Sequence, residues 1–203
     1  MRAMRAMTAP TMTAQEVNDF WFLPASSDGH GKQRGAWFKK DAQFDAAIAH
    51  RFGGAIAQAI AGGLRAWDEE GAQGTLARIV LLDQFTRNAD RGTPAAFAGD
   101  QLALAAALDL EARGADRTLT PLQRWFAYLP FEHAEDTSMQ EKSVALIAAL
   151  AAFDPQFAGA LDYARRHRDV VARFGRFPHR NAILGRVSSP EELAFLRQPG
   201  SGF

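Results

Sequence analysis

The chain has no cysteine among its 203 residues, which excludes disulfides, thiolate zinc sites and cysteine nucleophiles together. Lysine is scarce as well: only Lys32, Lys39, Lys40 and Lys142 occur, and arginine carries most of the positive charge. Formal net charge is zero, so no global field recruits nucleic acid, anionic lipid or an acidic substrate. No stretch approaches the roughly 18 uninterrupted apolar residues of a membrane span. No apolar run follows the arginines of MRAMRAMTAPTM as a secretory leader requires. G-x-S-x-G, G-x-x-x-x-G-K and G-x-G-x-x-G are all missing. The expectation is a cytoplasmic protein without a cofactor and without a nucleic-acid or membrane partner. Residues 1–12 read as a loose tail and residues 13–203 as one domain.

What is present is helical spacing almost everywhere. TAQEVNDFWF, residues 13–22, predicts a short helix before Pro24. Phe44, Ala47, Ile48 and Phe52 fall on one helix face, with a break expected at Gly53-Gly54. GTLARIVLLDQFTRN, residues 74–88, is apolar nearly all round its middle turn, which should be buried. Four X-Pro pairs mark helix starts: Thr93-Pro94, Thr120-Pro121, Asp154-Pro155 and Ser189-Pro190. The first of these helices should run to Gly114, and the third should end at Gly175. With no convincing alternating strand and no internal repeat, the fold class is all-α in a single domain.

Polar side chains concentrate in three stretches. In LLDQFTRNADRGTP, residues 81–94, Gln84, Arg87, Asn88 and Arg91 share a face beside the buried turn, with Asp83 four residues before Arg87. The bland reading is a surface ion pair of about 0.3–0.5 kcal/mol; the sharper one is an internal network or ligand surface. In YLPFEHAED, Pro130 should stop one helix, and Thr137-x-x-Gln140 or Ser138-x-x-Glu141 should cap the next. Glu135 and Asp136 then suit a helix N-terminus, while Glu132 and His133 stay unexplained. In YARRHRDVVARFGRFPHRNAILGR, residues 163–186, arginines far outnumber the lone Asp169. His167 lies on an apolar face and reads as a core histidine; His179 follows Phe177-Pro178 in a loop, where it can meet a ligand. The acids near 132–141 and the arginines near 165–186 can lock to each other or line a pocket.

Taken together, WF…D…FD…I…RF (residues 37–52), LLDQFTRN, RGTPAAF, YLPFEHAED, RHRD and RFGRFPHRNAILGR resemble the bacterial family known as domain of unknown function 924. The resemblance runs from about Phe20 to Phe203. It implies stacked antiparallel helix pairs in a right-handed array like tetratricopeptide repeats, with no established activity. The motif residues carried over are Asp83, Gln84, Arg87, Asn88, Arg91, Glu132, His133, Glu135, Asp136, His167, Arg168, Arg176, His179, Arg180 and Asn181. Ala134 departs from the pattern, since the family is associated with serine there.

Three functions remain open. The leading one is a binding module whose polar groove, with Arg87, Arg91, Arg176 and Arg180 as donors, receives an anionic group on a peptide, protein or small molecule. The second is a metal-dependent or acid–base enzyme built on Glu132, His133, Asp136, His167 and His179, although neither H-E-x-x-H nor a repeated Glu-x-x-His is present. In the third, the polar motifs only lock the fold. An alanine-rich helical surface is also compatible with a homo-oligomer.

Overall fold

Thr13 opens the first helix as its sequence predicts. Its hydroxyl accepts from the Glu16 N–H, and the Glu16 carboxylate accepts from the Thr13 N–H, a reciprocal capping box ahead of α1 (Ala14–Phe22). The computed structural model describes residues 12–202, so the tail assigned to residues 1–12 lies, except for Met12, outside the described residues. Helix α2 (Ala42–Ile60) passes through Gly53-Gly54 without the expected break. Two helical glycines cost about 1 kcal/mol each, and the stripe of Ile48, Phe52, Ile56 and Ala59 buried on either side of them offsets that.

After the short α3 (Ala66–Glu69), the chain builds its central rod. Helix α4 (Ala72–Ile79), a π-helical turn (Val80–Phe85) and α5 (Thr86–Ala89) run on continuously. Leu76 through Leu82 are buried except for a trace of Arg78, in keeping with the all-round apolar pattern. The rod touches α1, α2, α6 (Asp100–Ala112) and α7 (Pro121–His133).

Two expected boundaries shift. Residues 93–114 form a 3-10 turn (Pro94–Phe97) and then α6, not one helix. The interruption has a steric cause: Gly99 lies against the backbone of Leu82, where a β-carbon would collide with the carbonyl oxygen. Helix α7 also does not stop at Pro130 but runs three residues further. Tyr128, Leu129 and Phe131 are buried around the proline, and this packing holds the last turn in place despite the missing N–H.

Helix α8 (Thr137–Phe153) is capped by Asp136, whose carboxylate accepts from the Met139 N–H at 3.0 Å, and not by Thr137 or Ser138. That frees Gln140 from the expected capping box. Its buried amide instead donates to the Glu132 and Ala134 carbonyls at 2.6 and 2.7 Å, satisfying acceptors that the end of α7 leaves without helical partners. A 3-10 turn (Pro155–Phe157) leads into α9 (Ala158–Phe174), which Gly175 ends in the left-handed conformation at φ 70°. A further turn (Pro178–Arg180) and α10 (Pro190–Leu196) finish the chain.

One main core joins these elements, with Trp21 edge-on to both Phe85 and Phe126 at 5.5 and 5.6 Å between ring centres. Val170, Val171 and Phe177 form a smaller cluster under the C-terminal segment. The protein is an all-helical single domain, and no strand occurs among the described residues. No helix among them is long and apolar enough to cross a membrane.

Candidate functional site

The π-helical turn and the last turn of α7 face each other, and the side chains they carry meet. Asp83 is buried, yet it is surrounded by donors. His133 Nδ1 lies 2.7 Å from one carboxylate oxygen, Arg87 reaches the same oxygen at 3.2 Å, and the Gln84 amide donates to the other at 2.6 Å. Burial opposes the Asp83 charge, but Arg87, then His133 and Gln84, hold the carboxyl well below the usual carboxylate range. The expected surface ion pair is therefore an internal one.

Because Asp83 accepts, His133 donates from Nδ1, and its Nε2 is left as the basic nitrogen. Burial, then the Arg87 charge, lowers the imidazole's affinity for a proton. Next to it, Glu132 is almost wholly buried. One carboxyl oxygen lies 3.3 Å from His167 Nδ1, and the other has no hydrogen-bond partner among the described residues. Burial, reinforced by the Asp83 charge, pushes Glu132 up to about 8. At neutral pH it is a carboxylic acid, able to donate a proton. His167 donates to the Tyr163 carbonyl at 2.9 Å, and burial pushes it down to about 3, so it is neutral, as a core histidine should be.

These groups border a cavity of about 630 Å³ between the rod, α7 and α9. Glu132, His133, Gln84, Arg87, Asn88 and Arg91 line it on the polar side. Trp37, Trp125, Phe126 and Leu129 line the apolar side, and Lys39 and Lys40 stand at its edge. His133 also borders a second cavity of about 260 Å³, where Arg180 and Glu135 are found.

The candidate arginines are already engaged. Arg87 grips Asp100 with two nitrogens at 2.8 and 3.1 Å, and Arg180 reaches the same acid at 3.2 Å. Arg180 is flanked by the rings of Phe97 and Phe177 at 4.8 and 4.5 Å. Arg91 and Asn88 share Asp45, and Arg176 forks onto Glu192. Arg168 pairs with its neighbour Asp169. The lock anticipated between the acids and the arginine segment is real: Glu135 takes two bonds from Arg186 and one from the Phe177 N–H, and the exposed Glu141 lies 3.9 Å from Arg168. Asn181 supports it by accepting from Arg186. Asp136 caps α8, away from this lock. His179 is largely buried and pushed down to about 4 by burial and then by Arg180. Among the described residues, no three histidines or acids converge as metal ligands.

Sequence reasoning gave no role to Asp45, Asp100 or the edge lysines, and it placed Gln140 in a capping box that the structure does not form. Asp45 and Asp100 each sit in the first turn of a helix, where an acid is ordinary. Their role appears only when Arg91 and Arg87 arrive from 46 and 13 residues away. Lys39 and Lys40 lie in a connecting segment that carries no periodic signal.

A solved structure of a protein of unknown function from Agrobacterium tumefaciens is similar over 91% of this chain and 96% of its own, with 41% identity and a TM-score of 0.77. None of the curated proteins compared matches the chain. A family model for bacterial proteins of unknown function, DUF924, matches residues 17–200, and the chain belongs to that family.

Proposed function

We propose that the larger cavity is the active site of a cytoplasmic general acid–base catalyst acting on a small organic molecule. The observation that carries this reading is the Asp83–His133 hydrogen bond of 2.7 Å at the wall of a cavity that Glu132 also lines. A neutral imidazole oriented by a buried carboxylate is a proton acceptor, and a neighbouring carboxyl kept protonated is a proton donor. Two groups of one site are thus driven toward opposite protonation tasks. Such a pair serves hydrolysis, elimination or proton abstraction beside a carbonyl.

The competing reading, a groove whose free guanidinium forks capture an anion, has less support. Arg87, Arg91, Arg176 and Arg180 are all spent on Asp83, Asp100, Asp45 and Glu192. We read the helical arrangement as a variant of the tetratricopeptide stack. In its favour, α6 packs on α7, α7 on α8 and α8 on α9, in chain order.

The test is a screen of esters, amides, lactones and hydroxy acids with the wild-type protein beside His133→Asn and Glu132→Gln. A turnover lowered at least a hundredfold by either change supports the assignment. A turnover that both variants retain places the chemistry elsewhere and overturns it.

A further inference from the structure

We infer that the substrate of this cavity is a small molecule with an anionic oxygen group, carboxylate or phosphate, at one end of a flat apolar body. Lys39 and Lys40 would seat the anion, and Trp37, Trp125 and Leu129 would hold the body. The inference deepens the acid–base reading and rests on it for the word substrate; the binding itself does not depend on it.

Three observations carry the inference. The first is charge. Lys39, Lys40, Arg87 and Arg91 line the cavity, and Glu132 is its one acidic lining residue. Arg87 and Arg91 are neutralised by Asp83, Asp100 and Asp45. Lys40 lies near enough to Asp45 to help hold that carboxylate charged, but neither lysine makes an ion pair among the described residues. Two ammonium groups at the edge of an otherwise balanced cavity attract an anion and repel a cation.

The second is the wall. Trp37 packs edge-on to Phe126 with ring centres 4.6 Å apart, and Phe38 stacks on Trp125 at 5.6 Å. Phe38 is 60% exposed and lines the cavity beside Trp37 and Trp125, so it extends the aromatic wall toward solvent. Trp125 and Leu129 stand on the same helix as Glu132 and His133 at four- and three-residue spacing, so a molecule packed on the aromatic wall lies beside the acid–base pair.

The third is closure. Gln33 donates to the Gln156 carbonyl at 3.2 Å, joining the segment before α2 to the turn before α9. Both residues line the cavity, so the bridge bounds it on that side. A cavity of about 630 Å³ is of the size that takes a small molecule.

The test is a set of binding titrations on the full-length protein, read by tryptophan fluorescence and calorimetry. The probes are phenyl phosphate, 3-phenylpropanoate, 3-phenylpropan-1-ol, 3-phenylpropylammonium and inorganic phosphate. At least one of the two aromatic anions should bind roughly tenfold or more tightly than the alcohol and the ammonium. Which anion binds more tightly distinguishes a carboxylate substrate from a phosphate. The Lys39→Gln/Lys40→Gln protein should lose about that factor for the anion and none for the alcohol. Equal binding of alcohol and anions, or anion binding indifferent to the lysine changes, would overturn the proposal. So would inorganic phosphate binding as tightly as phenyl phosphate, since the apolar body would then contribute nothing. Failure of the acid–base reading looks different: His133→Asn and wild type would share both the anion preference and the same turnover.

Discussion

His133 Nδ1 and Asp83 Oδ1 are 2.7 Å apart although fifty residues separate them in the chain. Asp83 comes from the π-helical turn and His133 from the last turn of α7, which continues past Pro130. The two segments pack against each other, which brings the carboxylate and the imidazole together.

Asp83→Asn should separate the catalytic and structural parts of this contact. The amide cannot favour the Nδ1–H tautomer as the carboxylate does, and turnover should drop roughly 10²–10⁴-fold. Breaking a buried ion pair costs roughly 3–5 kcal/mol. The loss here should fall at the low end, because Arg87 keeps Asp100. Urea denaturation gives the stability change, and the nitrogen chemical shifts of His133 report the tautomer.

Stability should depend on pH in a way that Glu132→Gln alters. The folded carboxyl is raised from 4.5 to about 8, so the native state binds more protons than the unfolded chain across that interval. This contribution is complete below about 4.5 and is lost as pH rises to about 8. His167 has the opposite sign: lowered from 6.5 to about 3, it contributes above 6.5 and is lost toward 3. His179, lowered from 6.5 to about 4, and His133, also lowered, act with His167, so stability rises with pH toward about 6.5 despite Glu132 and then declines toward 8. In Glu132→Gln the decline from 6.5 to 8 should vanish, and the rise with pH below 6.5 should steepen. Melting temperature against pH checks this, and an unchanged profile would refute the assignment of Glu132.

Gln140→Leu should destabilise the end of α7 where the site is built. It strips the donor from the Glu132 and Ala134 carbonyls, and each buried acceptor left unpaired costs about 1–3 kcal/mol. Hydrogen exchange should rise first in residues 131–140, ahead of the central rod.

Gly99→Ala should be far more harmful than a small substitution beside a turn usually is. The added carbon meets the Leu82 carbonyl, which also accepts from Thr86 at 2.8 Å. Relief requires displacing the backbone next to Asp83, so both stability and turnover should fall. Overpacking of this kind costs typically 1–3 kcal/mol, and calorimetric melting would measure it.

The helix starts were legible because capping is local chemistry. Thr13, Thr120 and Ser189 each bond within three residues of themselves. The buried middle of 74–88 was legible because an apolar residue on every face has no solvent side to choose. The Asp136 cap was misassigned because Thr137, Ser138 and Asp136 are all competent caps, and only the partner of Gln140 decides among them. Continuation past Pro130 was not legible, since proline normally ends a helix and the packing that overrides it comes from distant elements. At the site, residue types were readable and partnerships were not. Arg180 and Glu135 were both singled out, yet one answers Asp100 and the other Arg186.

The π-helical turn gives this chain a reading frame of its own. A π turn holds one residue more than the α turn it replaces, so side chains beyond it are rotated by about 100° relative to an unbroken helix. Deleting one residue between Val80 and Phe85 would let α4 run straight into α5 with a core of similar composition, but Asp83, Arg87 and Asn88 would no longer all point where they do. A change of one residue in the length of this segment would therefore move the site's side chains further than a single substitution within it.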